Sequence, residues 1–362
     1  MPAIVSVTTE NPPFKYTQAE IKGLIYDLFQ PSYSAIDRMI KVFDSSGIEE
    51  RQLSAPMSWF KEDHTFAEKN ERYVEVAVEL GVKVIRSCLE KVDETVVSDV
   101  DAIFYISSSG IATPTIDAKM MNKLSFSPHM KRIPIWGLGC AGGAAGLSRA
   151  YDYCLAYPRA KVLVVCVECC SLTFSKEDIS KSNIVGTSLF GDGAACALIV
   201  GDTAANSMEF KQKKLPFILA SQSTFMQDSE DIMGWDLKEN GLNVVFSRNI
   251  PNVIEKWLKP NVEEFLSLNK IDLQDISYFV AHPGGKKVLQ AYEQALTFSE
   301  EMTETSRKVL QNHGNMSSPT VLYVLKKIME HKTVHGEKGL MAALGPGFCS
   351  ELLLLEWREV GS

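Results

Sequence analysis

The spacing of apolar residues in the first part of the chain predicts one strand and two helices. Alternating apolar positions predict a short strand over Ile4 to Thr8. Thr17 is followed three residues later by Glu20, which is the capping-box pattern, and this predicts a helix that runs to Phe29. A second helix is predicted over residues 34–43.

A long amphipathic helix and an α/β alternation follow. Thr65 and Glu68 form another capping box. The helix that it opens carries apolar residues on one face, which are Tyr73, Ala77, Leu80 and Val84. Beyond it, short apolar strands alternate with helical patterns. This order is typical of a layered α/β protein.

The second informative pattern is an internal repeat. Each copy contains an acid, an apolar strand, a polar turn and a glycine, then a small-residue turn that opens a helix, and later a glycine turn that runs into a strand. The paired segments are 101–110 with 275–284, 139–147 with 314–322, and 190–200 with 344–354. We infer two similar halves, 1–205 and 206–362, related by a pseudo-twofold axis.

The repeat brings particular residues to equivalent turns. Ser108 and Cys140 are 32 residues apart, and His282 and Asn315 are 33 residues apart. Cys140 and Asn315 then occupy equivalent strand–helix turns, while His282 stands where Ser108 stands in the first half. The turns that diverged to Cys, His and Asn should face one central site.

Cys140 lies in a stretch that reads as an apolar strand, a glycine turn and a helix that begins on small residues. A thiol at the amino end of a helix meets unpaired N–H groups and the positive end of the dipole, which favour the reactive thiolate. A buried cysteine at a tightly packed junction explains the stretch equally well. The partners at the equivalent turns favour a nucleophile.

The composition changes this picture little. The chain has 362 residues, of which 45% are hydrophobic and 23% are charged, and this suits about two domains. The net charge of −8 argues against a nucleic-acid partner. No apolar stretch approaches the roughly 18 residues that span a membrane, and no targeting pattern is present. We therefore expect a cytoplasmic protein without an integral membrane segment.

The eight cysteines predict free thiols rather than disulfides, because most lie in apolar segments. Cys166 and Cys169 match a C-x-x-C motif, but they lie in a predicted buried strand. Residues three apart on a strand point to opposite faces, so this pair should not hold a metal. No metal site is expected.

Five motifs together resemble the chalcone synthase-like type III polyketide synthases, and in particular a bacterial alkylpyrone synthase. The resemblance covers about residues 1–358. It implies an α/β thiolase fold, a duplicated five-layer αβαβα arrangement, and a homodimer that takes acyl-CoA and malonyl-CoA without any other cofactor. The motifs are Gly139-Cys140-Ala141-Gly142-Gly143, Phe190-Gly191-Asp192-Gly193, His282-Pro283-Gly284-Gly285, Gly314-Asn315-Met316-Ser317-Ser318 and Gly345-Pro346-Gly347.

The resemblance assigns catalysis to Cys140, His282 and Asn315. Cys140 would take the acyl group from coenzyme A as a thioester. His282 would stabilise the thiolate as an imidazolium. Malonyl-CoA would then lose carbon dioxide, and His282 and the Asn315 amide would both donate to the enolate oxygen.

The resemblance also implies a substrate cavity. Phe190 matches a gatekeeper phenylalanine whose apolar ring disfavours the malonyl carboxylate and so assists decarboxylation. Val244 stands where the family often has a second gatekeeper phenylalanine. Because valine is smaller than phenylalanine, this replacement should widen the cavity. The other implied cavity positions are Ser108, Thr113, Cys170, Thr173, Trp235 and Ser317. Several of these are small, so we expect a fatty acyl starter extended two or three times to an alkylpyrone or alkylresorcinol.

Coenzyme A carries phosphates, and a basic entrance is therefore expected despite the acidic total charge. Lys286 and Lys287 follow the glycine turn at Gly284 and Gly285 directly, and this turn allows close approach of a ligand. Further phosphate contacts are expected in the region where the family places them, at Arg38, Lys41 and Arg51.

Four other interpretations are compatible with parts of the sequence. A β-ketoacyl synthase of fatty-acid initiation shares the three residue types but condenses once with carrier-bound malonate. A type III synthase could use an aromatic or malonyl starter. A hydroxymethylglutaryl-CoA synthase would need a catalytic glutamate, for which Glu168 is the nearest candidate. A catalytically inactive subunit would not retain Cys140, His282 and Asn315.

Overall fold

The computed structural model describes residues 1–31, 33–92, 95–210, 212–247, 249–331 and 333–360. Its strands are β1 (Ala3–Glu10), β2 (Phe14–Thr17), β3 (Glu50–Leu53), β4 (Ala102–Ile106), β5 (Lys131–Ile135), β6 (Lys161–Cys169), β7 (Asp192–Val200), β8 (Lys214–Phe225), β9 (Met233–Lys238), β10 (Gly241–Phe246), β11 (Ile276–Ala281), β12 (Lys338–Gly345) and β13 (Cys349–Glu359).

Helices connect these strands. They are α1 (Gln18–Phe29), α2 (Ile36–Met39), α3 (Val42–Ser45), α4 (Met57–Lys61), α5 (Phe66–Glu90), α6 (Ile116–Met121), α7 (Gly142–Ala156), α8 (Lys181–Leu189), α9 (Asp202–Ala205), α10 (Ile250–Val253), α11 (Lys259–Leu268), α12 (Lys286–Leu296), α13 (Glu304–His313) and α14 (Thr320–Met329).

The large sheet repeats one topology. Its strand order is β11-β12-β13-β8-β1-β7-β6-β4-β5. From β1 outward, two antiparallel pairings with β7 and β6 are followed by a parallel pairing with β4. From β8 outward, β13 and β12 pair antiparallel and β11 pairs parallel. The segments that the sequence repeat aligns, including β4 and β11, therefore occupy equivalent positions, and the proposed boundary after Ala205 lies between α9 and β8.

Three buried clusters show how the layers stack. One lies between the first half of the sheet and α5, and another lies between the second half and helices α11 and α12. The central cluster joins α7 and α14 to both halves of the sheet. The order is therefore helix, sheet, paired helices, sheet, helix, and the predicted α/β thiolase fold with five layers is confirmed.

Most of the elements predicted in the first part of the chain are present. Both capping boxes form, with Thr17 and Thr65 accepting from the backbone N–H groups of Glu20 and Glu68. The predicted helix over residues 34–43 is wrong in one respect, because two short helices, α2 and α3, replace it. Hydrogen bonds between residues three apart, such as that from the Phe43 N–H to the Ile40 carbonyl, give 3₁₀ geometry there and interrupt the α-helix.

The cysteines follow the prediction. All eight are free thiols. Cys166 packs in the central cluster and Cys169 packs on the opposite face of β6 with the outer cluster. The strand alternation thus keeps the two thiols of the C-x-x-C pattern apart.

The central helices approach very closely. A methyl group at Gly143, in α7, would lie 2.3 Å from the Ser318 carbonyl oxygen and 2.8 Å from a methyl of Val321 in α14. No ordinary side chain fits such a gap. Glycine at this position is what allows α7 to lie against the turn that precedes α14.

Because of this contact, a Gly→Ala substitution here and one on an open helix face should change the free energy of unfolding in opposite directions. Gly143→Ala forces α7 away from the turn at Ser318 and should lower the free energy of unfolding by about 1–3 kcal/mol. Gly23→Ala, in the exposed face of α1 with nothing within 4 Å of the added methyl, should raise it by about 0.5–1 kcal/mol. Urea unfolding of both variants measures this, and equal effects would contradict the close packing.

Candidate active site

Cys140 lies in a single 3₁₀ turn, Gly139–Ala141, which leads directly into α7. Gly139 has a φ of +47°, and a side chain there would lie 2.8 Å from Pro346. The Gly139 N–H donates to the hydroxyl of Ser108 at 3.0 Å. The glycine loop at Pro346 and the end of β4 therefore clamp the turn that presents the cysteine at the start of a helix, as predicted.

Asn315 is held by its backbone and by its own side chain. Its N–H donates to the Leu189 carbonyl at 2.8 Å, and its carbonyl accepts from the Gly191 N–H at 3.0 Å. These two bonds form a short parallel β-bridge between Asn315 and Phe190. The side-chain oxygen accepts from the N–H of Ser317 at 2.8 Å. This bond orients the amide, so that its N–H₂ group is the one available as a donor.

The amide nitrogen of Asn315 reaches both other parts of the predicted site. It lies 3.6 Å from the Cys140 sulfur and 3.3 Å from the carbonyl oxygen of Gly284. Gly284 belongs to the turn that follows His282, and its N–H donates to the His282 carbonyl at 3.1 Å. The structure thus brings Cys140 and Asn315 together and places the turn that follows His282 beside them, while the role of His282 stays a prediction.

His282 extends β11, and its N–H donates to the Ala342 carbonyl of β12 at 2.9 Å. The side chain is buried, and neither ring nitrogen has a hydrogen-bond partner. Burial lowers the pKa of His282 to about 3. A buried polar ring without partners costs free energy, and such groups in proteins are commonly completed by a ligand.

Burial also raises the pKa of Cys140 to about 11, although the hydrogen bonds from Asn315 and Ser317 oppose the rise. Contact with a helix start is usually worth only about 0.3–1 kcal/mol, so the desolvation of the sulfur outweighs it. The residue is half-buried, and water screens part of this shift. Before a substrate enters, the neutral thiol and neutral imidazole are favoured, and the thiolate–imidazolium pair stays a prediction.

Glu168, which the sequence offered as a candidate catalytic glutamate in a buried strand, has hydrogen-bond partners that sequence reasoning did not foresee. Its carboxylate is fully buried and accepts from the N–H groups of Ser108 and Ser109 at 2.9 and 3.0 Å. It also accepts from the hydroxyls of Ser107, Ser109 and Ser318. The carboxylate ties the end of β4 to the turn before α14, and these hydrogen bonds give it a structural role.

The predicted gatekeeper Phe190 packs in a group of aromatic rings. The ring of Phe190 lies 5.6 Å from the ring of Trp235 and 5.6 Å from that of Phe246. Val244 pairs with Trp235 across the β9–β10 hairpin. Phe246 was not foreseen, although it lies two residues after Val244 on the same face of β10, which is the signal that could have found it.

Behind Phe190 lies a narrow, mostly apolar cavity, which we call the acyl cavity, and the space inside it that is open to a water molecule is about 40 Å³. Cys170, Thr173, Phe190 and Val244 line it as predicted. The other lining residues are Ile21, Leu24, Ile25, Arg51, Leu53, Phe60, Ser171, Phe174, Asn183, Gly186 and Thr187. Ser108 and Ser317 lie instead beside the nucleophile turn and Asn315.

Two predicted positions require correction. Arg51 is buried, and its guanidinium donates to the carbonyls of Thr187 and Phe190 and to the side chain of Gln18, so it is not a phosphate contact at the surface. Thr113 is exposed and does not line the cavity of its own chain, because the loop after β4 carries it outward towards α6.

The remaining basic residues lie at the surface. Lys286 and Lys287 open α12, and Arg38 and Lys41 lie in α2 and just before α3; all four are exposed. Gly47, which follows α3, packs against the stem of Lys286, so the two segments adjoin. Among the described residues, none of these four cations has an ion-pair partner.

Among the described residues, no cluster of three or more His, Cys, Asp or Glu side chains is placed to hold a metal ion. In that same part of the chain, every helix is too short or too polar to cross a membrane.

Comparison with known proteins identifies the family. Residues 51–203 match the model for the N-terminal domain of chalcone and stilbene synthases, and residues 217–358 match the model for the C-terminal domain. The "putative chalcone synthase" of Bacillus subtilis (strain 168) is 48% identical over 99% of this chain and 100% of its own length.

Two further relatives are synthases of the same compound. The 1,3,6,8-tetrahydroxynaphthalene synthase of Streptomyces peucetius subsp. caesius is 32% identical over 98% of this chain and 93% of its own length. The crystal structure of the corresponding synthase from Streptomyces coelicolor A3(2), a bacterial type III polyketide synthase, superposes with a TM-score of 0.91 at 27% identity, over 99% of this chain and 100% of the other. The chain therefore belongs to the chalcone and stilbene synthase family and is a type III polyketide synthase, an acyltransferase that catalyses decarboxylative condensation.

Proposed function

We propose that this synthase loads a fatty acyl group from coenzyme A onto Cys140, extends it two or three times with malonyl-CoA, and releases an alkylpyrone or alkylresorcinol. The observation that carries the proposal is the apolar acyl cavity behind Phe190. A hydrocarbon chain that leaves water for such a cavity gains about 0.8 kcal/mol per buried methylene. An aromatic starter with hydroxyl groups would need polar partners instead.

The polar side chains of the acyl cavity support this choice because most of their donors are already engaged, and the exception is the buried Nε of Arg51, which has no partner. These side chains are Arg51, Ser171, Thr173, Asn183 and Thr187. Each donates to a backbone or side-chain oxygen of the protein. A starter that required hydrogen bonds would have to break these, whereas a hydrocarbon chain leaves them intact.

Acyl transfer begins at Cys140. Its sulfur attacks the carbonyl carbon of the starter thioester, while His282 accepts the thiol proton and passes it to the departing sulfur of coenzyme A. The charged intermediate exists only during this transfer, which agrees with the neutral resting state that burial favours. The acyl chain then lies past Phe190 in the cavity.

Extension uses the donors around the sulfur. Malonyl-CoA loses carbon dioxide, and the electron pair of the broken bond moves onto the thioester oxygen. The oriented amide of Asn315 and the unpartnered ring of His282 donate to that oxygen. The enolate carbon attacks the acyl-Cys140 carbonyl, a new carbon–carbon bond forms, and the cysteine sulfur is released for the next round.

Binding of coenzyme A is assigned to the exposed cations that adjoin across Gly47. Lys286, Lys287, Arg38 and Lys41 have no competing carboxylate among the described residues, so their charges are available to phosphates. The Gly284–Gly285 turn between them and His282 gives the pantetheine arm a narrow approach. No other cofactor enters the proposed reaction.

A second candidate is a synthase that begins from malonyl-CoA or an aromatic starter. It is favoured by relatives that are named 1,3,6,8-tetrahydroxynaphthalene synthase and 3,5-dihydroxyphenylacetyl-CoA synthase. Those names describe small polyhydroxylated products. The choice between the two candidates depends on which starter the acyl cavity accepts.

A homodimer is proposed from the edge of the large sheet. The strand β5 is paired only with β4 among the described strands. Three large apolar residues near it, Trp136, Leu155 and Tyr157, are about half exposed, at 56%, 51% and 49%. Lys131 of β5 lies 4.4 Å from the ring of Tyr157, which places α7 beside this edge. An exposed apolar patch of this kind beside a sheet edge is suited to contact with a second copy of the chain.

The starter class can be measured directly. Incubation of the protein with malonyl-CoA and starters of several classes should give, by mass spectrometry, pyrones or resorcinols from fatty acyl-CoA thioesters. Products from malonyl-CoA alone, or only from aromatic starters, would favour the second candidate and overturn the first. A Cys140→Ala variant should show no acyl-enzyme with any starter.

The role of Asn315 predicts a separation of two steps. Asn315→Ala should slow release of carbon dioxide from malonyl-CoA by about 10²–10³-fold, because one donor to the enolate oxygen is lost. Acylation of Cys140 should fall much less. Asn312→Ala, three residues away on the exposed end of α13, is the matched control. Equal loss of both steps in Asn315→Ala would contradict the assigned role.

The dimer interface predicts a mutation-sensitive association. Sedimentation equilibrium should give twice the chain mass for the wild type, and Trp136→Glu should shift it towards the monomer because a buried unpaired charge is costly. Leu268→Glu changes another exposed apolar residue, on α11, and should leave the mass unchanged. A monomeric wild type would refute the proposal.

A further inference from the structure

The acyl cavity ends at a wall that it shares with a second pocket. Phe60 and Phe174 line both spaces. Their ring centroids are 6.4 Å apart at an angle of 68°, an edge-to-face contact. Phe60 is buried and Phe174 is partly buried, so together they close the inner space from the outer one. We call this pair the aromatic wall and the second space the outer pocket.

The outer pocket differs chemically from the acyl cavity. Its lining is Trp59, Phe60, Glu62, Asp63, His64, Thr65, Phe66, Lys69, Phe174, Ser175, Lys176, Glu177, Glu239 and Asn240. Charged side chains of both signs are thus gathered there, and Lys176 pairs with Asp63 at 2.7 Å. A hydrocarbon chain gains free energy up to the aromatic wall and meets a charged, hydrated space beyond it.

The aromatic wall is anchored from both sides. The carbonyl of Phe174 accepts from the Lys69 ammonium at 2.9 Å, on the side of the outer pocket. The next carbonyl, that of Ser175, accepts from Asn183 at 2.7 Å, on the side of the acyl cavity. Backbone held by two such bonds cannot swing aside without breaking them.

Phe60 is fixed by a separate stack. Its ring meets the edge of Trp59 at a centroid distance of 5.0 Å, and Trp59 stacks on His64 at 3.9 Å with the planes 9° apart. The ring of His64 in turn bonds to the Trp59 carbonyl at 2.9 Å. Both halves of the wall therefore keep their places when a chain presses against them.

We propose that the aromatic wall of Phe60 and Phe174 determines the longest acyl starter that this synthase accepts. The inference rests on the proposed fatty acyl function. Each methylene added within the cavity raises kcat/KM about fourfold. The first methylene that must displace a ring reverses the trend, because overpacking forces anchored side chains out of position.

The test is a chain-length series of saturated acyl-CoA starters with malonyl-CoA, run on the wild type, Phe174→Ala and Phe60→Ala. The wild type should show an optimum and then a fall. In each variant the optimum should move to longer chains. The readout is a ratio of two kcat/KM values, in which the value for a starter two methylenes longer than the wild-type optimum is divided by the value at that optimum. This ratio should rise about tenfold in each variant. Because the readout is a ratio within one protein, partial unfolding does not change it.

Phe66→Ala is the matched control, since Phe66 lines only the outer pocket. It should keep the wild-type optimum. A wild type with a clear optimum that neither wall variant moves would overturn the wall, and so would an equal shift in Phe66→Ala. A wild type that extends no fatty acyl starter would overturn the proposed function and this inference with it.

Discussion

The close contact between α7 and the turn before α14 is the constraint on which the site depends. Gly143 lets the start of α7 lie against the backbone at Ser318, within a distance that no side chain could occupy. The same contact brings the Cys140 sulfur within 3.6 Å of the Asn315 amide. Catalytic groups lose much of their effect when they are misplaced by about 1 Å, so this packing is part of the chemistry.

Burial then decides the charge state of the site. It raises the pKa of the Cys140 thiol and of Glu168 and lowers the pKa of His282, so it favours the neutral thiol and the neutral ring. Glu168 remains compatible with the interior because hydroxyl and backbone donors surround its carboxylate. Loss of one donor to such a buried group typically costs about 1–3 kcal/mol. The same dry surroundings strengthen the donors that await an enolate oxygen.

The proposed reaction chemistry and the proposed choice of starter reside in different parts of the fold. In this proposal, the turns that carry Cys140, His282 and Asn315 perform acyl transfer and decarboxylation. The space behind Phe190 is lined by α1, β3, α4, α8, the segment 170–174 and the hairpin at Val244, and Cys140 is not among its lining residues. Side chains in those elements can change without disturbing the turns. Relatives with similar folds and differently named products agree with this separation.

The sequence by itself determined the capped helices α1 and α5, the free thiols, the repeat, and the convergence of Cys140 and Asn315. These follow from local periodicity, cap chemistry and comparison of the chain with itself. Only the tertiary structure decided that Arg51 is buried, that Thr113 is exposed, and that Phe60 meets Phe174. Burial and cavity walls depend on which distant segments pack together, and short-range patterns carry no record of that packing.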